Sequence, residues 1–289
     1  MKILVTGREG QLARSLAERA AGHPDLDLIF TSRTEADLSS SGSVAAAIAA
    51  ARPDMVINAA AYTAVDKAEE EPALAFRINA EGAGEAAAAA RMVDAAFIQI
   101  STDYVFDGRA TQPYREDAPT NPLSVYGRSK LAGEDAVRAA NPDHLILRTA
   151  WVYSPFGRNF VKSMVAAAGE KDLLSVVDDQ QGSPTSAFDL ADAVLSIAER
   201  RAGFGETFHL AGSGHASWFD LASEVMDQCR HVGLPSAEVR PIRTADWPTK
   251  AARPAFAVLD CTKAKRDLGI RLPDWRLSVA ETVRRLAEG

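Results

Sequence analysis

The chain is short of most residues that would commit it to a special class. Among 289 residues there are two cysteines, Cys229 and Cys261, and no CxxC pair. That excludes a disulfide-built scaffold and fits a reducing compartment. The five histidines (His23, His144, His209, His215 and His231) fall in no HExxH or comparable spacing, and no acidic ligand cluster stands out. No tightly bound catalytic metal is therefore expected. No apolar run approaches the length of a membrane span, and the apolar stretch in the opening MKILVTG is too short for a signal peptide. Positive charge is in deficit, with 32 Lys and Arg against 39 Asp and Glu and a net charge of −7. This argues against nucleic acid or an anionic membrane as a partner. An anionic ligand would need a local site made from backbone N–H groups or a few cations. Internal repeats and low-complexity linkers are also missing. What remains is a cytoplasmic protein with enough apolar sequence (47%) to bury an ample core.

The first positive signal is the order of the apolar runs. Residues 3–6 read as a short buried strand, followed by Gly7-Arg8-Glu9-Gly10-Gln11-Leu12-Ala13 opening a helix. In this GxxGxxA spacing Gly7 permits a tight turn. Gly10 lets backbone N–H groups approach a pyrophosphate at the helix N-terminus, and Ala13 is small enough for close helix–strand packing. Gly7, Gly10, Gln11 and Leu12 are accordingly expected to hold a dinucleotide. Further strands are expected over 26–30, 55–58, 95–100 and 144–148, with helices over 43–51, 69–93 and 124–139. Such alternation predicts an α/β fold with a doubly wound, Rossmann-like parallel sheet. After the second strand, where many proteins of this type carry an acid for the ribose 2′-hydroxyl, the chain has Thr31-Ser32-Arg33. Arg33 can pair with a 2′-phosphate or be a solvated loop charge. Asp37 suits a turn or a helix cap. Asn79 is read as structural, bonding neighbouring backbone from within the 69–93 helix. The loop over 107–123, rich in Pro, Asp and Thr, can lie over the active site. Beyond residue 150 the alternation loosens, with helices expected over 160–168, 187–200, 218–230 and 278–287 and strands over 173–177 and 207–210.

The chemistry concentrates between Ser101 and Lys130. Tyr126 and Lys130 are spaced to share one helix face. A phenol with a pKa of about 10 is a poor acid at neutral pH, and a neighbouring ammonium is expected to lower that value. Thr102 ends an apolar strand, where its hydroxyl can meet a substrate oxygen. Together the three can reduce a carbonyl: hydride from a cofactor, a proton from Tyr126, geometry from Thr102 and Lys130.

The strings STDYVFDG, NPLSVYGRSKLAGE, NAAAYTAVDKAE and RTAWVYSPFGRNFV resemble the dTDP-4-dehydrorhamnose reductase family, within the extended short-chain dehydrogenases/reductases. The resemblance covers nearly the whole chain and weakens after about Arg240. It implies NAD(P)H-dependent reduction of the C4 ketone of dTDP-4-dehydro-L-rhamnose to dTDP-L-rhamnose, with NADPH or NADH as reductant, by a monomer or homodimer. It also implies cofactor contacts at Asp37, Leu38, Ala61, Tyr62 and Thr63, besides Tyr126 and Lys130. Substrate contacts are implied at Thr102, Asp103, Tyr104, Trp151, Asn159 and Arg253, the last able to clamp a diphosphate. Residues 1–152 would form the dinucleotide-binding domain, to which the chain returns near 184–212. Residues 153–289 would form mainly a smaller sugar-nucleotide domain. The family's reported magnesium finds no evident ligand set here. Two other readings share the fold or the cofactor. A nucleotide-sugar epimerase or dehydratase shares the fold, but dehydratases follow the strand-end threonine with Asp-Glu, where this chain has Asp103-Tyr104. A non-catalytic dinucleotide-binding regulatory subunit has no need of Thr102, Tyr126 and Lys130 together.

Overall fold

In the computed structural model, which describes residues 1–288, the chain begins as strand and helix in alternation. The elements are β1 (Lys2–Thr6), α1 (Gln11–Arg19), β2 (Asp27–Thr31), α2 (Ser43–Ala51), β3 (Met55–Asn58), the short α3 (Val65–Ala68) and α4 (Pro72–Phe76), α5 (Ala83–Met92), β4 (Ala96–Thr102), α6 (Val125–Ala140) and β5 (His144–Thr149). There follow β6 (Val152–Tyr153), α7 (Phe160–Ala168), β7 (Leu173–Val177), β8 (Gln181–Gly182), β9 (Thr185–Ser186), α8 (Ala187–Arg200), β10 (Glu206–His209), β11 (Ala216–Ser217), α9 (Trp218–Val232), β12 (Glu238–Ile242) and α10 (Trp275–Glu288).

Six strands form one parallel sheet of order β10-β5-β4-β3-β1-β2. Its strands are apolar almost throughout because helices cover both faces. The side-chain period of two then divides each strand between two cores. Ile3, Val5, Met55, Ile57 and Ile98 pack with α1 and α8, whereas Leu4, Val56 and Phe97 pack with α2, α5 and α6. The chain runs from β1 to β2 on one side and to β3 on the other, so the strand order reverses between β1 and β3. In an open sheet of this kind the crevice beyond the carboxyl ends at the reversal is where ligands bind.

A second apolar cluster gathers Tyr153, Val161, Met226, Trp275, Val279 and Val283 from β6, α7, α9 and α10, beside the β7–β12 pair. Ala264, Leu268 and Leu272 belong instead to the core of the main sheet, so the C-terminal stretch crosses back once more. No helix among the described residues is long and apolar enough to cross a membrane.

Two local expectations fail. The helix expected over 69–93 starts only at Pro72, which takes an N-terminal helical position where its missing N–H costs nothing. It then widens into a π-helical segment over Arg77–Gly82. There the Asn79 amide accepts from Tyr62 N–H at 2.8 Å and donates to Tyr62 O at 3.0 Å and Ser129 Oγ at 2.9 Å. Close backbone approach goes with this: a Cβ on Gly133 of α6 would lie 2.0 Å from Asn79 O. The loop over 107–123 does not cover the crevice either. Tyr114 N–H donates to Val258 O and its carbonyl accepts from Asp260 N–H, both at 2.8 Å, while Glu116 accepts from His209 N–H. Those bonds pin the loop beside β10 at the sheet edge.

Candidate active site

A cleft of about 760 Å³ runs across the carboxyl ends of the sheet strands. At its nucleotide end the chain leaves β1 at Gly7 with φ +78°, and a Cβ there would sit 3.0 Å from Ala60 Cα. Both facts call for glycine. Gly10 precedes α1 and its N–H closes the turn onto Gly7 O at 2.8 Å. No side chain caps α1 and no acid occupies its first turn, so the free N–H groups of that turn remain available to an anion. Gln11, Leu12, Ala61 and Thr63 line the same end. The cradle therefore fits a dinucleotide pyrophosphate.

Tyr62 does not face the cleft with its side chain, and its hydroxyl donates to Glu71 at 2.8 Å. Only its backbone, fixed by Asn79, helps shape the turn. Asp37 accepts from Ser39 Oγ at 2.7 Å and Ser39 N–H at 2.8 Å, an Asx turn that holds its carboxyl below the usual range. Leu38 is buried beside it at the cleft wall. Arg33, largely exposed, lies 3.6 Å from the Asp37 carboxylate and 3.4 Å from Ser39 Oγ, and reaches the cleft rim.

The part of the cleft that holds Thr102, Tyr126 and Lys130 is built by β4 and α6. Ser124 caps α6 by accepting from Gly127 N–H at 3.1 Å, which places Tyr126 in the first turn and Lys130 in the next. A Cβ on Gly127 would meet Tyr104 O at 2.2 Å, so α6 lies against the Thr102–Val105 turn as only glycine allows. Tyr126 packs edge-on to Tyr104 with ring centroids 5.4 Å apart. Four residues past Lys130, the buried Glu134 receives Arg148 through Nε at 2.8 Å and Nη2 at 2.7 Å, with Ser101 Oγ at 2.6 Å and Arg138 at 2.9 Å. Such a bidentate pair fixes the mutual position of α6, β4 and β5.

Burial dominates the protonation of this centre. Lys130 Nζ donates to Ile100 O at 2.7 Å, and desolvation brings its pKa down to about 8 against the opposing pull of Glu134. The Tyr126 phenol is pushed well up by burial, with the Thr102 hydroxyl acting in the other direction and Asp103 and Tyr104 adding to the rise. The expected lowering by Lys130 is not among the effects that act on the phenol: burial is the largest and raises it, and the Lys130 ammonium is itself bonded to the strand carbonyl of Ile100. Asp103 is raised to about 7 by burial.

On the far wall Trp151, at φ +46°, stacks on Trp218 with centroids 3.5 Å apart. Arg253 donates to Tyr104 Oη at 3.1 Å and to Asp66 at 2.7 Å. Asn159 borders the cleft, but its amide is used within the protein. Nδ2 donates to Gln11 Oε1 at 2.9 Å, Ser154 O at 2.8 Å and Phe156 O at 3.2 Å, and Oδ1 caps α7 through Lys162 N–H.

The family model described as "RmlD substrate binding domain" matches residues 1–288. A curated dTDP-4-dehydrorhamnose reductase from Sinorhizobium fredii is 47% identical, with 99% of this chain and 96% of that protein aligned. The chain belongs to the dTDP-4-dehydrorhamnose reductase family. Among solved structures, a dTDP-4-dehydrorhamnose reductase from Clostridium acetobutylicum superposes with a TM-score of 0.92 at 41% identity, covering 99% of each chain. One from Bacillus anthracis, in complex with NADP, gives 0.91 at 33% identity over 97% of this chain and 98% of the other.

Within this family member, the cleft gathers every site residue expected from the sequence except the Tyr62 side chain. It also holds Arg8, Arg158 and Trp218, which sequence reasoning passed over. Arg158 follows Gly157 in the segment that resembles the family and could have been noticed there. Nothing local marks Trp218 as a partner of Trp151. Among the described residues no group of three or more His, Cys, Asp or Glu is placed to hold a metal.

Proposed function

We propose that this protein reduces the C4 ketone of dTDP-4-dehydro-L-rhamnose to dTDP-L-rhamnose, with NADPH, or NADH, as the reductant. The observation that carries this reading is the convergence of Thr102, Tyr126 and Lys130 in one cleft with the Gly7–Leu12 cradle. The bound nicotinamide would supply hydride to C4.

The remaining work falls to this chain. Tyr126 gives its proton to the ketone oxygen. Its raised pKa keeps the phenol protonated at neutral pH, while an alkoxide is a stronger base than a phenolate, so transfer runs downhill. Lys130 holds the ribose hydroxyls beside Tyr126 and places a positive charge where the phenolate is left. Thr102 hydrogen-bonds the same ketone oxygen from the strand end. The first-turn N–H groups of α1 take the cofactor pyrophosphate, and Arg33 meets a 2′-phosphate. Ala61, Thr63, Asp37 and Leu38 wall the adenosine side. On the substrate side, Asp103 and Tyr104 line the sugar pocket, Trp151 lies against the sugar nucleotide, and Arg253 meets the diphosphate. Asn159 orders that wall through Gln11. Residues 1–152, with the return over 184–212, carry the cofactor half, and 153–289 mainly the sugar-nucleotide half. We infer a cytoplasmic enzyme, monomeric or homodimeric, without nucleic-acid or membrane partners.

The test is NADPH oxidation with dTDP-4-dehydro-L-rhamnose beside the GDP- and UDP-linked 4-keto sugars. Turnover of the dTDP-linked sugar above the others is expected. No turnover with any of them overturns the assignment.

A further inference from the structure

Thr102 has one proton to give and two lone pairs to receive with. One lone pair takes Tyr104 N–H at 3.2 Å, and its oxygen lies 2.9 Å from Asp103 Oδ1. The direction of that second bond depends on Asp103. An ionised carboxylate only accepts, so the single Thr102 proton must point to it, and none is left for a ketone oxygen. A protonated carboxyl can donate to Thr102 instead, which frees the Thr102 proton to face the cleft. The other carboxyl oxygen, Oδ2, is buried without a hydrogen-bond partner, and the residue is 1% exposed. As part of an anion that oxygen carries buried charge with no hydrogen bond of its own; as the carbonyl of a neutral acid it costs far less.

We propose that Asp103 is a positioning residue that must be protonated for reduction: its acid form donates to Thr102 and turns the Thr102 hydroxyl toward the ketone oxygen, and its ionised form takes that hydrogen bond back. The inference rests on the reading of this cleft as a ketone-reducing site. No covalent step is involved and no proton is consumed; one hydrogen bond reverses direction.

The surroundings support a neutral form. Burial raises Asp103 to about 7, and the opposing pulls come from the Thr102 hydroxyl and the backbone amides of Asp103 and Tyr104 rather than from a cation. The α6 side presents the neutral Tyr126 phenol and Lys130, whose ammonium is bonded to Ile100 O. From the turn comes the Tyr104 phenol, which meets Arg253, itself paired with Asp66. A substrate seated in the cleft displaces water and raises the group further.

The experiment has two arms. In the first, kcat with NADPH and dTDP-4-dehydro-L-rhamnose is followed from acid to alkaline pH for the wild type, Asp103→Asn and Asp103→Ala. The asparagine amide can donate to Thr102 at any pH. The wild type should lose kcat as pH rises through the Asp103 ionisation, and Asp103→Asn should be a few-fold slower but free of that limb, falling only where Lys130 discharges. Asp103→Ala should be slower than Asp103→Asn throughout, with KM changed less than kcat. A fall of kcat below the Lys130 limb that survives in Asp103→Asn, or equal rates for Asn and Ala, overturns the inference. In the second arm, which needs no substrate, infrared difference spectra of the free protein are titrated. A protonated-carboxyl C=O band should be present below neutrality, bleach on alkalinisation and be missing in Asp103→Asn. Its absence at acid pH overturns the inference. A wild type that passes the infrared arm and turns over no 4-keto sugar overturns the functional reading alone.

Discussion

Replacing Tyr126 by phenylalanine removes one oxygen from a ring that is 9% exposed and edge-on to Tyr104. The ring, its packing and the Ser124 cap that positions it stay in place, so the variant isolates the proton. Thr102 keeps Tyr104 N–H and Asp103 as partners, and no buried group loses its only hydrogen bond. The melting temperature should therefore remain near that of the wild type, and cofactor affinity likewise, since Lys130 is held independently by Ile100 O. What goes is general acid catalysis, about a hundred- to ten-thousand-fold in rate. At about 1.4 kcal/mol per tenfold, this is about 3 to 5 kcal/mol of transition-state stabilisation. The assay is single-turnover oxidation of NADPH with saturating dTDP-4-dehydro-L-rhamnose, so that product release does not mask the step. Turnover within a few-fold of the wild type would refute the reasoning, and Tyr104 or a water held by Asp103 would become the donor to test.

Other outcomes follow from the same geometry. Lys130→Met should weaken NADPH binding and slow turnover together, because one ammonium serves both; in the wild type this contribution should fade as pH rises through about 8, where the buried lysine loses its charge. Binding titrations across that range check it. Thr102→Val should cost less than Tyr126→Phe, since it removes a hydrogen bond, typically about 1 kcal/mol, rather than the proton; parallel kcat measurements decide. Arg33→Ala should raise the KM for NADPH much more than that for NADH, and equal effects would show that Arg33 does not meet the 2′-phosphate. Gly133→Ala should lower thermal stability, by about 1–3 kcal/mol for an overpacked contact, because its Cβ would meet the Asn79 carbonyl at 2.0 Å.

The readable features were those encoded by neighbours in sequence. The apolar runs of the parallel strands, the glycine turn after β1 and the helical spacing of Tyr126 and Lys130 are all local patterns. They located the sheet, the turn at Gly7 and the cleft that Thr102, Tyr126 and Lys130 share. Features made by distant residues left no such trace. Trp218 meets Trp151 across 67 positions through the packing of α9, and Asn159 spends its amide on Gln11 rather than on a ligand. The π-helical turn at Asn79 reflects the close passage of α6, which a helical period alone does not register. The Lys130–Tyr126 spacing was visible, but not that the strand carbonyl at Ile100 competes for the ammonium.

The Gln11 side chain has a mechanical consequence. Its Oε1 accepts from Ser154 Oγ and Asn159 Nδ2, both at 2.9 Å, and its Nε2 donates to Val152 O at 3.3 Å. One amide at the first turn of α1 thus ties three points of the later chain to the cofactor cradle. It acts as a pivot: moving the segment from Val152 to Asn159 relative to α1 must break these bonds together. An anion drawn against the N–H groups of that turn would sit on the element that anchors this segment, so the two walls of the cleft share one tie.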